Sequence, residues 1–152
     1  MQTFETNWKA TEGNMTAMGT TMTTAFGEMT TMMAANDAMD MTKLKPATKA
    51  SVDSMLTMCT MIKGQMEKMK GDYSAAMTQW ATDATAYADW KKKAQEEKLA
   101  DADFKAEIDN TWTAKLATYN DQLVAMNEAL TGIQAACKSS CDAITGMVTP
   151  VK

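Results

Sequence analysis

The sequence predicts an all-α protein: an antiparallel three-helix coiled-coil bundle in which two helices continue as a long hairpin arm. The chain has seventeen methionines and only six leucines, and the methionines occupy positions where a helical bundle usually places leucine. Fifteen of the methionines lie in residues 1–77. They recur in steps of three and four residues, the spacing of an amphipathic helix. Seven glycines and two prolines leave little of the chain for loops.

The first helix is predicted over residues 4–36. Asn36 and Asp37, followed by Pro46, mark its end, because the residue before a proline is steered away from helical geometry. The core positions alternate steps of three and four, as in a coiled coil. They are Phe4, Trp8, Thr11, Met15, Met18, Met22, Ala25, Met29 and Met32.

The second helix is predicted over residues 47–99, starting near Thr48 or Ser51. Its core positions recur every seven residues: Val52, Cys59, Met66, Tyr73, Trp80, Tyr87 and Ala94, with a companion line of Met55, Ile62, Met69, Ala76, Asp83 and Trp90. Gly71 interrupts neither line, and a turn there would reset the phase. The alternative is a four-helix bundle broken near Gly71.

The third helix is predicted to start near Asp101 or Asp103, either of which suits an N-cap, and to run toward Pro150. A short connection makes it antiparallel to the second helix, so residues whose numbers sum to about 203 lie level along the helices. Trp90 then faces Trp112. The first helix should lie along residues 47–80, which leaves residues 81–122 as a two-helix arm.

The aromatic residues of this arm are the predicted interaction site. Two helices alone cannot bury so many rings, so we expect self-association or binding of a protein partner here. The residues are Tyr87, Trp90, Phe104, Trp112 and Tyr119.

Composition predicts a single domain over residues 1–152 without catalytic function. Histidine is absent, which removes the commonest general base and metal ligand, and no GxGxxG, GxxxxGK[ST] or GxSxG motif occurs.

All fifteen basic residues are lysine and the net charge is −4, which argues against nucleic acid as a partner. No apolar run approaches a membrane span. The alanine- and threonine-rich surface favours an exported protein, periplasmic or secreted, over a cytoplasmic one.

The three cysteines allow two interpretations. Cys137 and Cys141 are one helical turn apart, a poor geometry for a disulfide. In the three-helix register Cys59 and Cys141 lie within about one turn of each other, so they could form a bridge in an oxidising compartment. The alternative is that all three cysteines are small buried hydrophobic residues.

The sulfur-rich core also predicts a metal site as a second interpretation. The register places Met18, Met66 and Cys137 in one layer, with Met22 and Cys141 in adjoining layers. Thioether and thiolate ligands without imidazole select Cu(I). The simpler interpretation is that methionines at heptad spacing are core residues and that the protein needs no cofactor. The sequence therefore favours a structural or protein-interaction bundle, with Cu(I) binding as the alternative.

Overall fold

A computed structural model describes residues 2–148, and all regular structure within this range is helical. Helix α1 spans Gln2–Asp37, α2 spans Pro46–Glu96 and α3 spans Asp101–Glu107. A π-helical segment, Ile108–Trp112, joins α3 to α4, which spans Thr113–Val148. The predicted all-α class with three long helices is confirmed, since α3, the π-helical segment and α4 follow one another as a single helix. Pro150 lies outside the described residues.

The connection between α1 and α2 is built by a side-chain turn and a proline. The Asp40 carboxylate accepts hydrogen bonds from the backbone N–H of Thr42 at 2.9 Å and from its hydroxyl at 2.6 Å. This pattern mimics a backbone turn. Helix α2 then begins at Pro46, shortly before the predicted start near Thr48 or Ser51, because proline suits the first helical position, where an N–H has no helical partner.

Helix α2 continues through Gly71 without a break. The four-helix alternative is therefore wrong, because a bundle broken near Gly71 requires a turn at that residue. The seven-residue repeat on both sides of the glycine explains the result: packing along an unbroken core line outweighs the low helix propensity of one residue.

We predict opposite effects for alanine at two helical glycines. A Cβ atom at Gly71 would meet no atom within 4 Å, so Gly71→Ala should stabilise the protein by about 1 kcal/mol through helix propensity. A Cβ atom at Gly19 would overlap the hydroxyl of Tyr73, which donates a hydrogen bond to the Met15 carbonyl at 3.0 Å. Gly19→Ala should therefore destabilise. Urea unfolding of both variants checks this contrast, and equal effects would contradict it.

The connection between α2 and α3 is a helix-ending turn at Lys98. Lys98 has a φ of 52°, in the left-handed region, and the Leu99 N–H donates to the Ala94 carbonyl at 2.9 Å. The Lys98 N–H donates to the Gln95 carbonyl at 3.3 Å. The two bonds form a Schellman motif, which satisfies carbonyls at the end of α2. Helix α3 begins at Asp101, but Ala100 is its N-cap, so the expected aspartate cap is wrong.

The chain divides into two compact units. The first combines the residues up to Gly19 with Gly71–Asn127, and we call it the aromatic unit. The second combines Thr20–Lys70 with the described residues from Glu128 onward, and we call it the sulfur unit. No helix within residues 2–148 has an apolar stretch long enough to cross a membrane.

Contacts within the aromatic unit define the direction of its helices. Trp90 of α2 contacts Phe104. Trp80, which precedes Trp90 on α2, contacts Tyr119, which follows Phe104 on the third helix. The second and third helices are therefore antiparallel, and the predicted contact between Trp90 and Trp112 is present, with ring centroids 5.9 Å apart.

The first helix extends further along the aromatic unit than predicted. Phe4 contacts Tyr87, and the Glu5 carboxylate pairs with the ammonium group of Lys91. The expectation that α1 stops beside residue 80 is therefore wrong, and residues 81–122 are not a two-helix arm over most of their length. The eight-residue connection at 38–45 explains the difference, because it is long enough to let α1 shift along α2.

Candidate functional site

Three helices enclose the aromatic core of the aromatic unit. Trp8 of α1 stacks on Trp80 and Tyr87, with centroid separations of 4.6 and 5.0 Å, and meets Trp112 edge to face at 6.2 Å. Such aromatic pairs add about 0.5–1.5 kcal/mol each beyond the area they bury. The aromatic core is therefore the main stabilising element of this unit.

Three of the five predicted interaction residues belong to this core and not to the surface. Tyr87, Trp112 and Tyr119 are 8%, 5% and 4% exposed. The sequence predicts an open arm here, but the extra length of α1 beside α2 covers these three residues. A partner cannot reach buried rings, so these three residues are corrected from interaction sites to core residues.

Trp90 and Phe104 remain half-buried at the end of the aromatic unit where α2 turns into α3. Their ring centroids are 4.7 Å apart, and Trp90 also stacks on Tyr87 at 6.0 Å. Both rings therefore pack against neighbouring aromatic residues and keep part of their surface accessible. Of the predicted interaction residues, these two keep surface that a partner could contact.

A groove of about 560 Å³ opens beside Phe104, between the start of α1 and the start of the third helix. Its apolar lining comes from Phe4, Phe104, Ile108 and Leu116, and its polar lining from Thr3, Asn7, Asp101, Lys105, Asp109 and Thr113. The π-helical segment contributes to this wall, and such segments occur frequently at functional sites. The groove and the half-buried ring pair form the candidate interaction site.

A buried carboxylate links α2 to α4 in the aromatic unit. Asp83 of α2 accepts hydrogen bonds from the Lys115 ammonium at 2.7 Å and the Tyr119 hydroxyl at 2.6 Å. Burial raises the pKa of Asp83, but the hydrogen bonds from Lys115, Tyr119 and Gln79 outweigh it, so the pKa lies below its ordinary value. Burial and the Asp83 carboxylate together raise the pKa of the Tyr119 hydroxyl.

These hydrogen bonds stabilise the ionised form of the Asp83 carboxylate. A general acid or base at neutral pH needs a pKa near 7, and the shift at Asp83 has the opposite direction. The sequence signal for the network was Asp83 itself, an acidic residue in an otherwise apolar core line. Its partners are 32 and 36 residues away and could not be read from local spacing.

The five residues predicted as soft metal ligands are all buried, but they are divided between the units. Met18 belongs to the aromatic unit, whereas Met22, Met66, Cys137 and Cys141 belong to the sulfur unit. Within residues 2–148, no group of three or more cysteine, aspartate or glutamate side chains is arranged to hold a metal ion.

The three cysteines lie together in the sulfur unit as free, buried thiols. The Cys141 thiol is a near neighbour of the thiols of Cys59 and Cys137, and it influences the ionisation of both. Burial raises the pKa of Cys59 and Cys137, and burial together with the Cys137 thiol raises the pKa of Cys141 to about 11. Neutral thiols are weak nucleophiles. The thiols of Cys59 and Cys141, which the sequence register puts within about one turn of each other, interact in the structure, and no disulfide joins them.

Comparison with known proteins gives no relative for this chain. No protein-family model matches it, and neither a curated protein nor a solved structure is significantly similar to it.

Proposed function

We propose that this protein is a non-enzymatic helical bundle that self-associates through the candidate interaction site. The observation that carries the proposal is the half-buried pair Trp90 and Phe104 beside the groove, at the end of a unit whose other aromatic residues, apart from Tyr73, are buried. Aromatic residues partly exposed around an apolar groove are typical anchors of protein interfaces.

Charge supports a second copy of the chain as the partner. Residues 101–109 contain four acidic residues and one lysine, a net charge of −3, and residues 91–98 contain four lysines and two glutamates, a net charge of +2. The two segments flank the connection between α2 and α3. In a two-fold symmetric interface, a contact between the acidic segment of one copy and the basic segment of its partner occurs twice. Opposite charges would then meet on both sides of the aromatic contact.

The ionisable groups also support a non-catalytic protein. Histidine is absent, the thiols of the sulfur unit have raised pKa values, and Asp83 is held as a carboxylate by Lys115 and Tyr119. None of these groups has the pKa that general acid–base or nucleophilic catalysis at neutral pH requires.

Sedimentation velocity over a concentration series tests the proposal. Wild type should form dimers, and Phe104→Ser should weaken dimerisation by about 30-fold, the loss expected of an interface anchor worth about 2 kcal/mol. Trp90→Ser should act in the same direction. Added salt should weaken dimerisation further, because it screens the charged rim.

The matched control is Val124→Ser. Val124 also belongs to the aromatic unit and is 58% exposed, but it does not line the groove, so its replacement should leave dimerisation unchanged. Thermal unfolding confirms that each variant is folded. A wild type that stays monomeric up to about 1 mM would refute self-association. Equal dimerisation of wild type, Phe104→Ser and Trp90→Ser would exclude this site as the interface.

A further inference from the structure

The sulfur unit holds a cluster of three cysteine thiols from two helices. Cys59 lies on α2, and Cys137 and Cys141 lie one turn apart on α4. All three are buried, and the thiol of Cys141 neighbours both of the others. Cys141 therefore has a soft sulfur ligand beside it on each of two helices.

The arrangement of the three cysteines is poorly suited to a disulfide. Residues one turn apart on a helix have Cβ atoms about 5–6 Å apart, beyond the 3.5–4.5 Å that a disulfide spans. This excludes a bridge between Cys137 and Cys141. A bridge between Cys59 and Cys141 would leave Cys137 as a third thiol beside it, and the structure holds all three thiols in the free state.

The surroundings favour a soft metal ion. The Cys137 thiol contacts the Met29 carbonyl at 3.9 Å, and the Met29 side chain is fully buried. The charged groups that influence the cluster are Asp37 and Lys63 near Cys59, and Asp142 near Cys141. Thiolates bind zinc and iron–sulfur clusters as well as Cu(I). A structural zinc site takes four cysteine or histidine ligands, and an iron–sulfur cluster is usually held by four cysteines, whereas this chain has three cysteines and no histidine. A site with few thiolate ligands therefore favours Cu(I).

We propose that Cys59 and Cys141 bind one Cu(I) ion between α2 and α4, with Cys137 as the neighbouring thiol that can join them. Two thiolates are sufficient for this d¹⁰ ion, so the site does not need three ligands already gathered around one point. This site differs from the Cu(I) site predicted from the sequence, because its ligands are cysteines and not methionines. The site lies wholly in the sulfur unit and does not depend on the proposed self-association.

The binding step balances without a redox change. Each thiol loses its proton to solvent as its sulfur forms one bond to the ion, so two protons are released for each Cu(I) bound, and copper enters and stays as Cu(I). Because metal binding must displace protons from thiols, apparent affinity should rise with pH. A site built only from neutral thioethers would release no protons and would show no such dependence.

An anaerobic titration of fully reduced protein with Cu(I) against a chromogenic Cu(I) chelator tests the site. Wild type should withhold about one equivalent, with two protons released, and its midpoint of thermal unfolding should rise because the ion binds the native state. Cys59→Ser and Cys141→Ser should each lower the affinity by more than about tenfold. Met66→Leu is nearly volume-conserving and is the matched control, with affinity equal to that of wild type.

Three results would overturn the proposal. The first is a wild type that withholds no copper from the chelator, a result that needs no variant to fold. The second is a Cys59→Ser or Cys59→Ala protein that is folded by circular dichroism and binds copper as tightly as wild type. The third is a Met66→Leu protein that loses as much affinity as the cysteine variants, which would assign the ion to thioethers. Dimerisation measured on the same samples keeps this result separate from the proposed function.

Discussion

Trp8→Ala should lower the free energy of unfolding by about 3–5 kcal/mol, the usual cost of removing a large aromatic side chain from a core. Trp8 is 8% exposed and contacts Trp80, Tyr87 and Trp112, so alanine would leave a cavity bordered by rings on both other helices. Urea unfolding followed by far-ultraviolet circular dichroism measures the loss.

Trp90→Ala is the matched comparison. It removes the same side chain from the same unit, but Trp90 is only half-buried, so we expect a clearly smaller loss. Equal losses in the two variants would contradict the position of α1 beside α2. They would instead support the two-helix arm that the sequence predicted, in which Trp8 does not reach Trp112.

Asp83→Ala should be the second large effect, with a loss of about 2–4 kcal/mol near neutral pH. The Asp83 side chain is 9% exposed, and removing it leaves the buried Tyr119 hydroxyl without its acceptor. Lys115 is 39% exposed and can turn to solvent, which keeps the loss below that of a fully buried ion pair. Urea unfolding at neutral pH gives the difference from wild type.

The pH dependence of this difference has a defined sign. The pKa of Asp83 is lower in the folded state than its ordinary value of 3.8. Its stabilising contribution is therefore fully present above about pH 4 and is lost as the pH falls through the folded-state pKa. The difference in unfolding free energy between wild type and Asp83→Ala should therefore become smaller in acid. Asp89→Ala, an exposed aspartate on the same helix, is the control, and a constant gap between wild type and Asp83→Ala would contradict the network.

The sequence predicted α2 and its pairing with the third helix because two local features determine both. The seven-residue line from Val52 to Ala94 passes through Gly71 in constant phase, and the connection at residues 97–100 is too short for the two helices to shift. Trp90 therefore meets Trp112 as predicted. The same register puts Cys59 within about one turn of Cys141, and the two thiols interact in the structure.

The position of α1 could not be predicted in the same way. Its connection to α2 has eight residues, which allow many axial offsets of similar loop entropy. The offset is determined by contacts distant in sequence, such as Phe4 with Tyr87 and Glu5 with Lys91. The prediction of Tyr87, Trp112 and Tyr119 as interaction residues is wrong for this reason, because the offset of α1 determines which aromatic residues it covers and which remain accessible.

The π-helical segment has a consequence for the groove. Ile108, Trp112 and Leu116 are all buried although they follow one another in steps of four, and an α-helix rotates about 40° out of phase at each such step. The wider turn at Ile108–Trp112 absorbs this drift, as one inserted residue would. Deleting one residue there would rotate Asp101–Glu107 by about 100° about the helix axis. Phe104 would then leave the groove, so a single added residue in the third helix sets which side chains this surface presents.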